Sequence, residues 1–301
     1  MSILAISILI IYLYAVWSCL MIHYLMDVSW ILYRGYFTAK AIWAEYPEIH
    51  FLCKKITSLL ERKDAILHLC IDGCNVKGKK LLTEQYKSGR HQEGSYNVYL
   101  GLSAFIHLLN NKRIKIYFNN NYEADELIFT LSRILDGRKK ILSGDKDLFQ
   151  AITDEVFIDN GNNEVITLES YKHDYKDKFF EIEPYKLPLY RAIIGDPSDC
   201  LKPVVARFPH KLAAKLVNDF NFNYNGNLFS IEDIRSLSSD YTSSDKKWID
   251  KLICSYESLK LNFDIMKLNV ITDNITDNEY DFPIVEFSDF LKSKILKLNT
   301  L

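Results

Sequence analysis

The stretch MIHYLMD at residues 21–27 is an apolar run that ends in an acidic residue, Asp27. The same arrangement returns at residues 65–71, AILHLCI, which Asp72 follows directly. Strand signals of this kind alternate with helix signals along the chain, which is typical of a mostly parallel sheet flanked by helices. The sequence therefore predicts an α/β fold whose central sheet carries carboxylates at the ends of its strands.

The remaining elements follow from the same patterns. Further strands are predicted at Arg113–Phe118 and Lys140–Leu142, and a β-hairpin joins Val156–Ile158 to Val165–Thr167 around an Asn-Gly turn. Arg138, Lys139 and Lys140 are interpreted as an exposed turn, and the polar stretch Ser236–Lys247 as a loop. Apolar periodicity predicts helices at Trp43–Leu60, Ser95–Leu109, Glu123–Leu135, Asp147–Ile152, Leu187–Ile194 and Lys211–Phe220.

Composition sets broad limits. With 301 residues, the chain can form one large domain or two, and its 37 basic and 39 acidic residues nearly cancel. A balanced total does not exclude nucleic acid, because an acidic pocket beside basic grooves also sums to zero. The six cysteines lack the paired spacing of a zinc site and are interpreted as buried free thiols. A reducing, cytoplasmic setting is expected.

The first 20 residues are almost wholly apolar, and they leave three interpretations open. About 20 apolar residues can span a bilayer as an anchor, whereas a secretory signal normally has a basic start, which is missing here. We favour the third, in which translation starts at Met21. The expected domains are this apolar extension at 1–20, an α/β domain at 21–180, and a helical region at 181–301.

Acidic residues recur at the predicted ends of strands and starts of helices. Each alone is more often a helix cap than a ligand. In parallel α/β sheets, however, ligands bind at the carboxyl ends of the strands, so residues far apart in sequence can share one site. Clustered carboxylates repel one another unless cations neutralise them, which predicts a pocket for divalent metal ions. The residues concerned are Asp27, Asp72, Glu123, Asp125, Glu126, Asp145, Asp147, Asp196 and Asp199.

In this order and spacing, the motifs resemble those of the 5′-3′ exonuclease and flap endonuclease family, in its bacteriophage and DNA polymerase I-type branch, including phage RNase H-like members. The resemblance runs from about Ile22 to Phe220. Its most specific part is SGDKDL at 143–148. The other parts are the first strand with LYRGYF at 32–37, IDG at 71–73, YKSGR at 86–90, EADE at 123–126 and GDPSD at 195–199.

The resemblance implies a PIN-like 5′ nuclease core, two Mg²⁺ ions that Mn²⁺ can replace, and a C-terminal helix-hairpin-helix-type element. It assigns the nine acids to the metal site and makes Arg34 and Lys87 catalytic, near the scissile phosphate. It also makes 21–180 a 5′ nuclease catalytic domain, in which a basic helical arch around 77–111 would guide a 5′ end, and 181–301 a helical DNA-binding region. The residues expected to bind nucleic acid are Tyr33, Lys79, Tyr86, Arg90, Lys202, Arg207 and Lys211.

Two departures from the family pattern stand out. Glu126 replaces the more common Asp and keeps the carboxylate on a longer stem. The segment at 201–212, LKPVVARFPHKL, lacks the glycines of the usual hairpin, and Pro203 and Pro209 have no N–H to donate to a phosphate. Lys202, Arg207 and Lys211 could supply side-chain charge instead.

The function that follows is hydrolysis of phosphodiester bonds at 5′ ends or flaps of DNA or RNA–DNA hybrids during replication, with replication proteins as possible partners and no small-molecule cofactor. Two alternatives remain open at this stage. One is a structure-specific DNA-binding scaffold without catalysis, and the other is a PIN-like ribonuclease.

Overall fold

A computed structural model describes residues 21–43, 45–73, 98–162, 164–220, 230–276 and 285–301 of the chain. Within these ranges the strands form a single sheet in the order β3-β2-β1-β4-β5-β6. All neighbouring strands are parallel except β5 and β6, which form the predicted antiparallel hairpin. The strands are β1 Ile22–Asp27, β2 Ala65–Ile71, β3 Ile114–Phe118, β4 Arg138–Leu142, β5 Val156–Asp159 and β6 Val165–Ile166.

Strand β1 lies at the centre of the sheet and fixes the position of the site. Its first residue, Ile22, pairs with Ala65 of β2 on one side and with Arg138 of β4 on the other. Strands β2 and β3 therefore lie on one side of β1, and β4 to β6 lie on the other. A crevice opens at the carboxyl ends of the strands where the order reverses, and it lies here between β1 and β4.

Helices cover both faces of the sheet, as the apolar strand sequences predict. On one face, Met26 and Leu69 pack with α1, α2, α3 and the last helix, α12. On the other, Leu25 and Ile141 pack with α4, α7 and the helices that follow. The helices are α1 Val28–Ala39, α2 Pro47–Leu60, α3 Leu102–Leu108, α4 Ala124–Ile134, α5 Leu168–Asp174, α6 Lys176–Phe179, α7 Leu187–Ile194, α8 His210–Asp219, α9 Ile231–Ser238, α10 Ser243–Cys254, α11 Tyr256–Met266 and α12 Asp289–Leu298.

Several helix boundaries differ from the sequence-based expectation. Helix α2 begins at Pro47 instead of Trp43, because proline fits the first helical turn, where no N–H is needed. The helix expected from Ser95 is described only as Leu102–Leu108, and residues 95–97 lie outside the described residues. The segment Lys146–Ala151 is a 3-10 helix, which tightens the turn after β4.

The interpretation of Arg138–Lys140 as an exposed turn was wrong. These residues form β4 beside the central strand, and Lys139 is only 4% exposed. The Lys139 ammonium donates to the Leu135 carbonyl at 3.0 Å and lies 3.3 Å from the Glu155 carboxylate. A lysine can occupy a buried strand when its charged end finds such partners, and this makes a basic run misleading as a sign of exposure.

The stretch Ser236–Lys247 is also not a loop. It contains the end of α9 and the start of α10, which Thr242 caps by accepting a hydrogen bond from Asp245 N at 3.2 Å. Ile234 and Ile249 bury the narrow apolar faces of the two helices. The polar residues between them lie on exposed faces, so the sequence looks like a loop although it is helical.

The C-terminal part of the chain packs against both sides of the sheet. One apolar core is continuous from Leu25 of β1 to Leu268, and the other includes Leu291 and Ile295 of α12. The boundary expected near residue 180 is therefore bridged by shared core, and its position stays a prediction. Among the described helices, none is long and apolar enough to cross a membrane.

Candidate metal centre

A cavity of about 730 Å³ opens at the carboxyl edge of the sheet, at the crevice between β1 and β4. Most of the predicted acidic residues meet there although they are separated by up to 169 positions along the chain, from residue 27 to residue 196. The acidic residues that line the cavity are Asp27, Asp72, Glu123, Asp125, Asp145, Asp147 and Asp196.

Asp27 ends β1 and caps the helix that follows. One carboxylate oxygen accepts from Trp30 N at 3.0 Å, and the other accepts from the Ser143 hydroxyl at 2.8 Å. Burial, and then the nearby charge of Asp72, raise the pKa of Asp27 to about 7 despite these hydrogen bonds. The hydrogen bonds therefore do not fully offset the cost of burying the ionised form of Asp27 beside Asp72.

Asp72 connects β2 to the start of α4. Its carboxylate accepts from the Ala124 amide at 2.7 Å, from the Tyr99 hydroxyl at 3.3 Å and from the Ser29 hydroxyl. These donors come from three separate segments of the chain, so the orientation of the carboxylate is fixed before any ligand binds. Such fixed donors are what a preorganised site requires.

Asp125, Asp145 and Asp147 form the tightest group. One carboxylate oxygen from each can be chosen so that all three lie within 4.8 Å of one another. Asp145 accepts from the Asp147 amide at 2.9 Å, and the Ser143 hydroxyl accepts from the Asp145 amide at 3.1 Å. Gly144 is needed in this turn because a Cβ there would lie 2.4 Å from the indole nitrogen of Trp30.

Arg191 of α7 lines the cavity beside Asp147 and Asp196. Its guanidinium pairs with Asp147 and lies 3.3 Å from Asp196. Burial acts to raise the pKa of Asp196, but hydrogen bonds from Ser198 and the pairing with Arg191 hold that pKa below its usual value. Asp196 is therefore charged under ordinary conditions, and its charge is balanced from within the protein.

The structure places two predicted acids away from the cavity lining. Glu126 folds back over its own helix start, where its carboxylate accepts from Glu123 N at 3.0 Å. Asp199 ends a 3-10 helix and is buried, without lining the cavity. Their assignment to the metal site stays a prediction.

The predicted catalytic and nucleic-acid residues are distributed more widely. Arg34 does not line the cavity; its guanidinium donates to the carbonyls of Asn160 and Gly161 and packs 5.2 Å from the Trp30 ring centre. Tyr33 does line it, and this residue is 45% exposed. Lys79, Tyr86, Lys87 and Arg90 lie outside the described residues.

In the C-terminal region, Lys202, Arg207 and Lys211 are all exposed around the start of α8. Arg207 adopts a left-handed backbone with φ 60°. The helix-hairpin-helix character of this segment is not established by its backbone, so the expected element stays a prediction.

Sequence reasoning missed several residues at the cavity. Ser143 and Lys146 lie inside the SGDKDL motif, and that position was the available signal. Tyr99 was assigned only to an apolar helix face. Lys178 and Arg191 also line the cavity, but apolar neighbours surround Arg191 in the sequence and gave no indication of a role.

Comparison with known protein families identifies the family of this chain. The family described as "5′-3′ exonuclease, N-terminal resolvase-like domain" matches residues 22–178. The chain belongs to the 5′-3′ exonuclease family. The resemblance inferred from the motifs is thereby confirmed, as is the expectation of a nuclease fold.

Relatives of this 5′-3′ exonuclease family member differ in length. A 5′-3′ exonuclease from Buchnera aphidicola is 26% identical over 266 residues, covering 84% of this chain and 90% of its own. DNA polymerase I from Bacillus caldotenax is 27% identical over 222 residues, covering 70% of this chain. The match spans only 25% of that polymerase.

A solved structure supports the fold. The bacteriophage T5 D15 flap endonuclease, in a pseudo-enzyme-product complex with DNA and metal ions, superimposes with a TM-score of 0.59 at 16% identity. The superposition covers 93% of this chain and all of the other. The mostly parallel sheet flanked by helices is thus the arrangement of a known 5′ nuclease fold.

The chemistry of this family member's cavity fits divalent cations. Every ligand in the tight group is a carboxylate oxygen, the hard donor that Mg²⁺ and Mn²⁺ prefer. After burial, the charge of Asp72 is the next cause of the raised pKa of Asp27, and a cation would relieve this repulsion between the two carboxylates.

Proposed function

We propose that this chain is a metal-dependent 5′ nuclease that hydrolyses phosphodiester bonds at 5′ ends and flaps of DNA. The observation that carries the proposal is the convergence of acids from β1, β2, α4, the turn after β4 and the segment after α7 on one cavity, in a member of the 5′-3′ exonuclease family. The proposal extends to 5′ ends of RNA–DNA hybrids.

Asp125, Asp145 and Asp147 would hold one divalent ion, and Asp27, Asp72 and Glu123 line the adjoining part of the cavity for a second. Asp196, Asp199 and Glu126 would complete the set, directly or through water. When bound, two Mg²⁺ ions, or Mn²⁺ in their place, supply activation of water and stabilisation of the leaving oxygen.

The protein residues then have distinct tasks. Ser29, Ser143 and the Ala124 amide keep Asp72 and Asp27 oriented, so that no reorganisation is needed when substrate arrives. Tyr33 offers an exposed ring on which a base can stack. Lys146 and Lys178 stand at the cavity rim, where they attract phosphate.

The remaining predicted roles are part of the same proposal. Lys87, Arg90, Tyr86 and Lys79 would guide a single-stranded 5′ end toward the cavity, with Arg34 near the scissile phosphate. Lys202, Arg207 and Lys211 would contact the duplex beyond it. We expect the substrate to arise at replication intermediates in the cytoplasm.

A fluorescent 5′-flap substrate tests this function. The protein with Mg²⁺ should release a short labelled product, and EDTA should abolish the reaction. RNA and hybrid strands in parallel reactions establish the strand preference. Binding without cleavage in both Mg²⁺ and Mn²⁺ would favour a DNA-binding scaffold, and cleavage of RNA alone would favour a ribonuclease.

A further inference from the structure

Arg191 contacts the same carboxylate that the metal group uses. Its guanidinium pairs with Asp147, and Asp147 is also one of the three acids whose oxygens lie within 4.8 Å of one another. The Arg191 side chain is only 11% exposed, so solvent weakens this pairing little. A divalent ion at Asp125, Asp145 and Asp147 would therefore meet a guanidinium already in place.

The backbone around Arg191 is fixed, so only its side chain can respond. Helix α7 buries Leu189, Ala192 and Ile193 in the core. The helix ends at Gly195, where φ is 78° and a Cβ would lie 2.6 Å from Pro203 N. This turn brings Asp196 back toward Arg191, 3.3 Å from its guanidinium.

Hydrogen bonds that do not involve Arg191 fix the Asp196 carboxylate and the backbone turn that carries Asp147. Asp196 accepts from the Ser198 amide at 2.8 Å and from the Ser198 hydroxyl. The Asp147 amide donates to Asp145 at 2.9 Å, which fixes the turn that carries it. The Asp196 carboxylate is thus oriented by Ser198, and the turn that carries Asp147 is fixed by its amide; Arg191 adds positive charge and a hydrogen-bond donor to this part of the cavity.

We propose that Arg191 is a built-in counter-ion that a divalent ion displaces from Asp147, after which its guanidinium binds a phosphate oxygen of the substrate strand. This inference rests on the proposed function. The two cations compete for Asp147 and repel each other, so ion binding frees the guanidinium at the cavity while Asp196 keeps it nearby. A guanidinium with donors free is well suited to bidentate phosphate binding.

Titration with Mn²⁺ in the absence of DNA tests the first half of the proposal, with calorimetry as the readout. Arg191→Met should bind Mn²⁺ about tenfold more tightly than the unaltered protein, the factor expected when a unit charge about 6 Å from a divalent ion is removed in a water-like medium. Arg191→Lys keeps the charge and should bind Mn²⁺ close to the original affinity. Arg191→Gln provides a second neutral variant that can still donate to Asp147, should the methionine variant not fold.

Lys186 provides the matched control. It is a neighbouring cation, 8% exposed, whose ammonium donates to the carbonyls of Asn218 at 3.1 Å and Phe220 at 2.9 Å. Lys186→Met should lower the melting temperature without changing Mn²⁺ affinity. Equal or weaker Mn²⁺ binding by the neutral Arg191 variants would overturn the counter-ion role. Absence of Mn²⁺ binding by the unaltered protein would instead count against the proposed function.

DNA binding in Ca²⁺ tests the second half. Arg191→Met should bind a 5′-flap DNA about tenfold more weakly, and the slope of log affinity against log salt should fall by about 1, as for the loss of a single phosphate contact. Lys186→Met should leave both quantities unchanged. An unaltered salt slope in Arg191→Met would contradict phosphate binding by the guanidinium.

Discussion

Two polar clusters lie on the same strands of the sheet. The groups of one are neutral and bond to one another, whereas the other gathers carboxylates around a cavity. Near the start of β1 and halfway along β2, His23 Nδ1 lies 2.9 Å from His68 Nε2, and His68 Nδ1 lies 3.1 Å from the Tyr117 hydroxyl. Burial lowers the pKa of His68 to about 3, so the ring is neutral. At the carboxyl ends of these strands, the acidic cluster gathers charges of one sign around a cavity.

The difference separates a structural cluster from a ligand site. The histidines and Tyr117 satisfy one another, so the cluster is complete within the fold. Among the described residues that line the acidic cavity, seven are acidic and three, Lys146, Lys178 and Arg191, are basic. An excess of negative charge on groups with fixed orientations destabilises the fold unless a ligand offsets it. Such an excess therefore indicates a ligand site.

The largest expected effect comes from removing one acid of the tight group. Asp145→Asn should lower the rate of flap cleavage in Mg²⁺ by at least about a thousandfold, or some 4 kcal/mol, because the ion loses a charged ligand. Single-turnover assays with saturating enzyme measure it. Asp250, an exposed carboxylate on α10, provides the control, and Asp250→Asn should cleave normally. Full activity in Asp145→Asn would remove this residue from the site.

The second-largest expected effect is stabilisation by Mg²⁺, which should depend on the acidic cluster and not on the histidine cluster. Mg²⁺ at about 100 times its dissociation constant should stabilise the unaltered protein by about 2.7 kcal/mol relative to EDTA. Thermal melting measures the gain as a shift of several degrees. Asp145→Asn should lose most of the shift, whereas His68→Gln should retain it. A shift that disappears in His68→Gln would mean that the two clusters are coupled.

Lowering the pH should reduce the contribution of the histidine cluster to folding stability. His68 is neutral in the fold with a pKa near 3, while an unfolded histidine takes up a proton near 6.5. The contribution of His68 to stability is therefore complete above pH 6.5 and is lost as the pH falls toward 3, by up to about 1.4 kcal/mol per pH unit.

Urea unfolding of the unaltered protein and of His68→Gln at several pH values measures this term as the difference between them. His68→Gln should be less stable at neutral pH and should lose less stability on acidification. The comparison between the two proteins removes the contribution of the acids, since both carry the same acidic cluster. Parallel pH profiles would show that His68 does not titrate as described.

The smallest expected effect comes from Tyr33, an exposed residue that lines the cavity. Tyr33→Ala should weaken binding of flap DNA by about fivefold to tenfold, because about 1 kcal/mol of base stacking is lost. Tyr33→Phe should bind as the unaltered protein does, and the Mg²⁺-dependent melting shift should be unchanged in both. Fluorescence anisotropy in Ca²⁺ measures the affinity. Weaker binding by both variants would indicate that the hydroxyl, and not the ring face, makes the contact.

Much of the central fold was predictable from local patterns. The apolar runs ending at Asp27 and Asp72 are strands, and the acids that follow them meet at one edge, as parallel strands require. The resemblance of SGDKDL to a family motif identified the turn after β4. These features were accessible because the strands are buried on both faces and therefore carry a strong apolar signal.

Other features depend on tertiary contacts that no local pattern reports. Lys139 lies buried in β4 because the Leu135 carbonyl and Glu155 are positioned to receive its ammonium. Glu126 turns to its own helix start, which the acidic motif alone does not distinguish from an inward ligand. Arg191 reaches Asp147 only because the packing of α7 places its side chain at the cavity. Its neighbours in sequence therefore gave no indication of its partners.

The central position of β1 also has a consequence during synthesis. Ile22 pairs with Arg138, a residue made 116 positions later. At about 5–20 residues per second, the ribosome needs roughly 6–23 s to deliver this second partner. For that time one edge of an apolar strand lacks its partner in the nascent chain, so the order of translation leaves β1 open to chaperone binding or to mispairing.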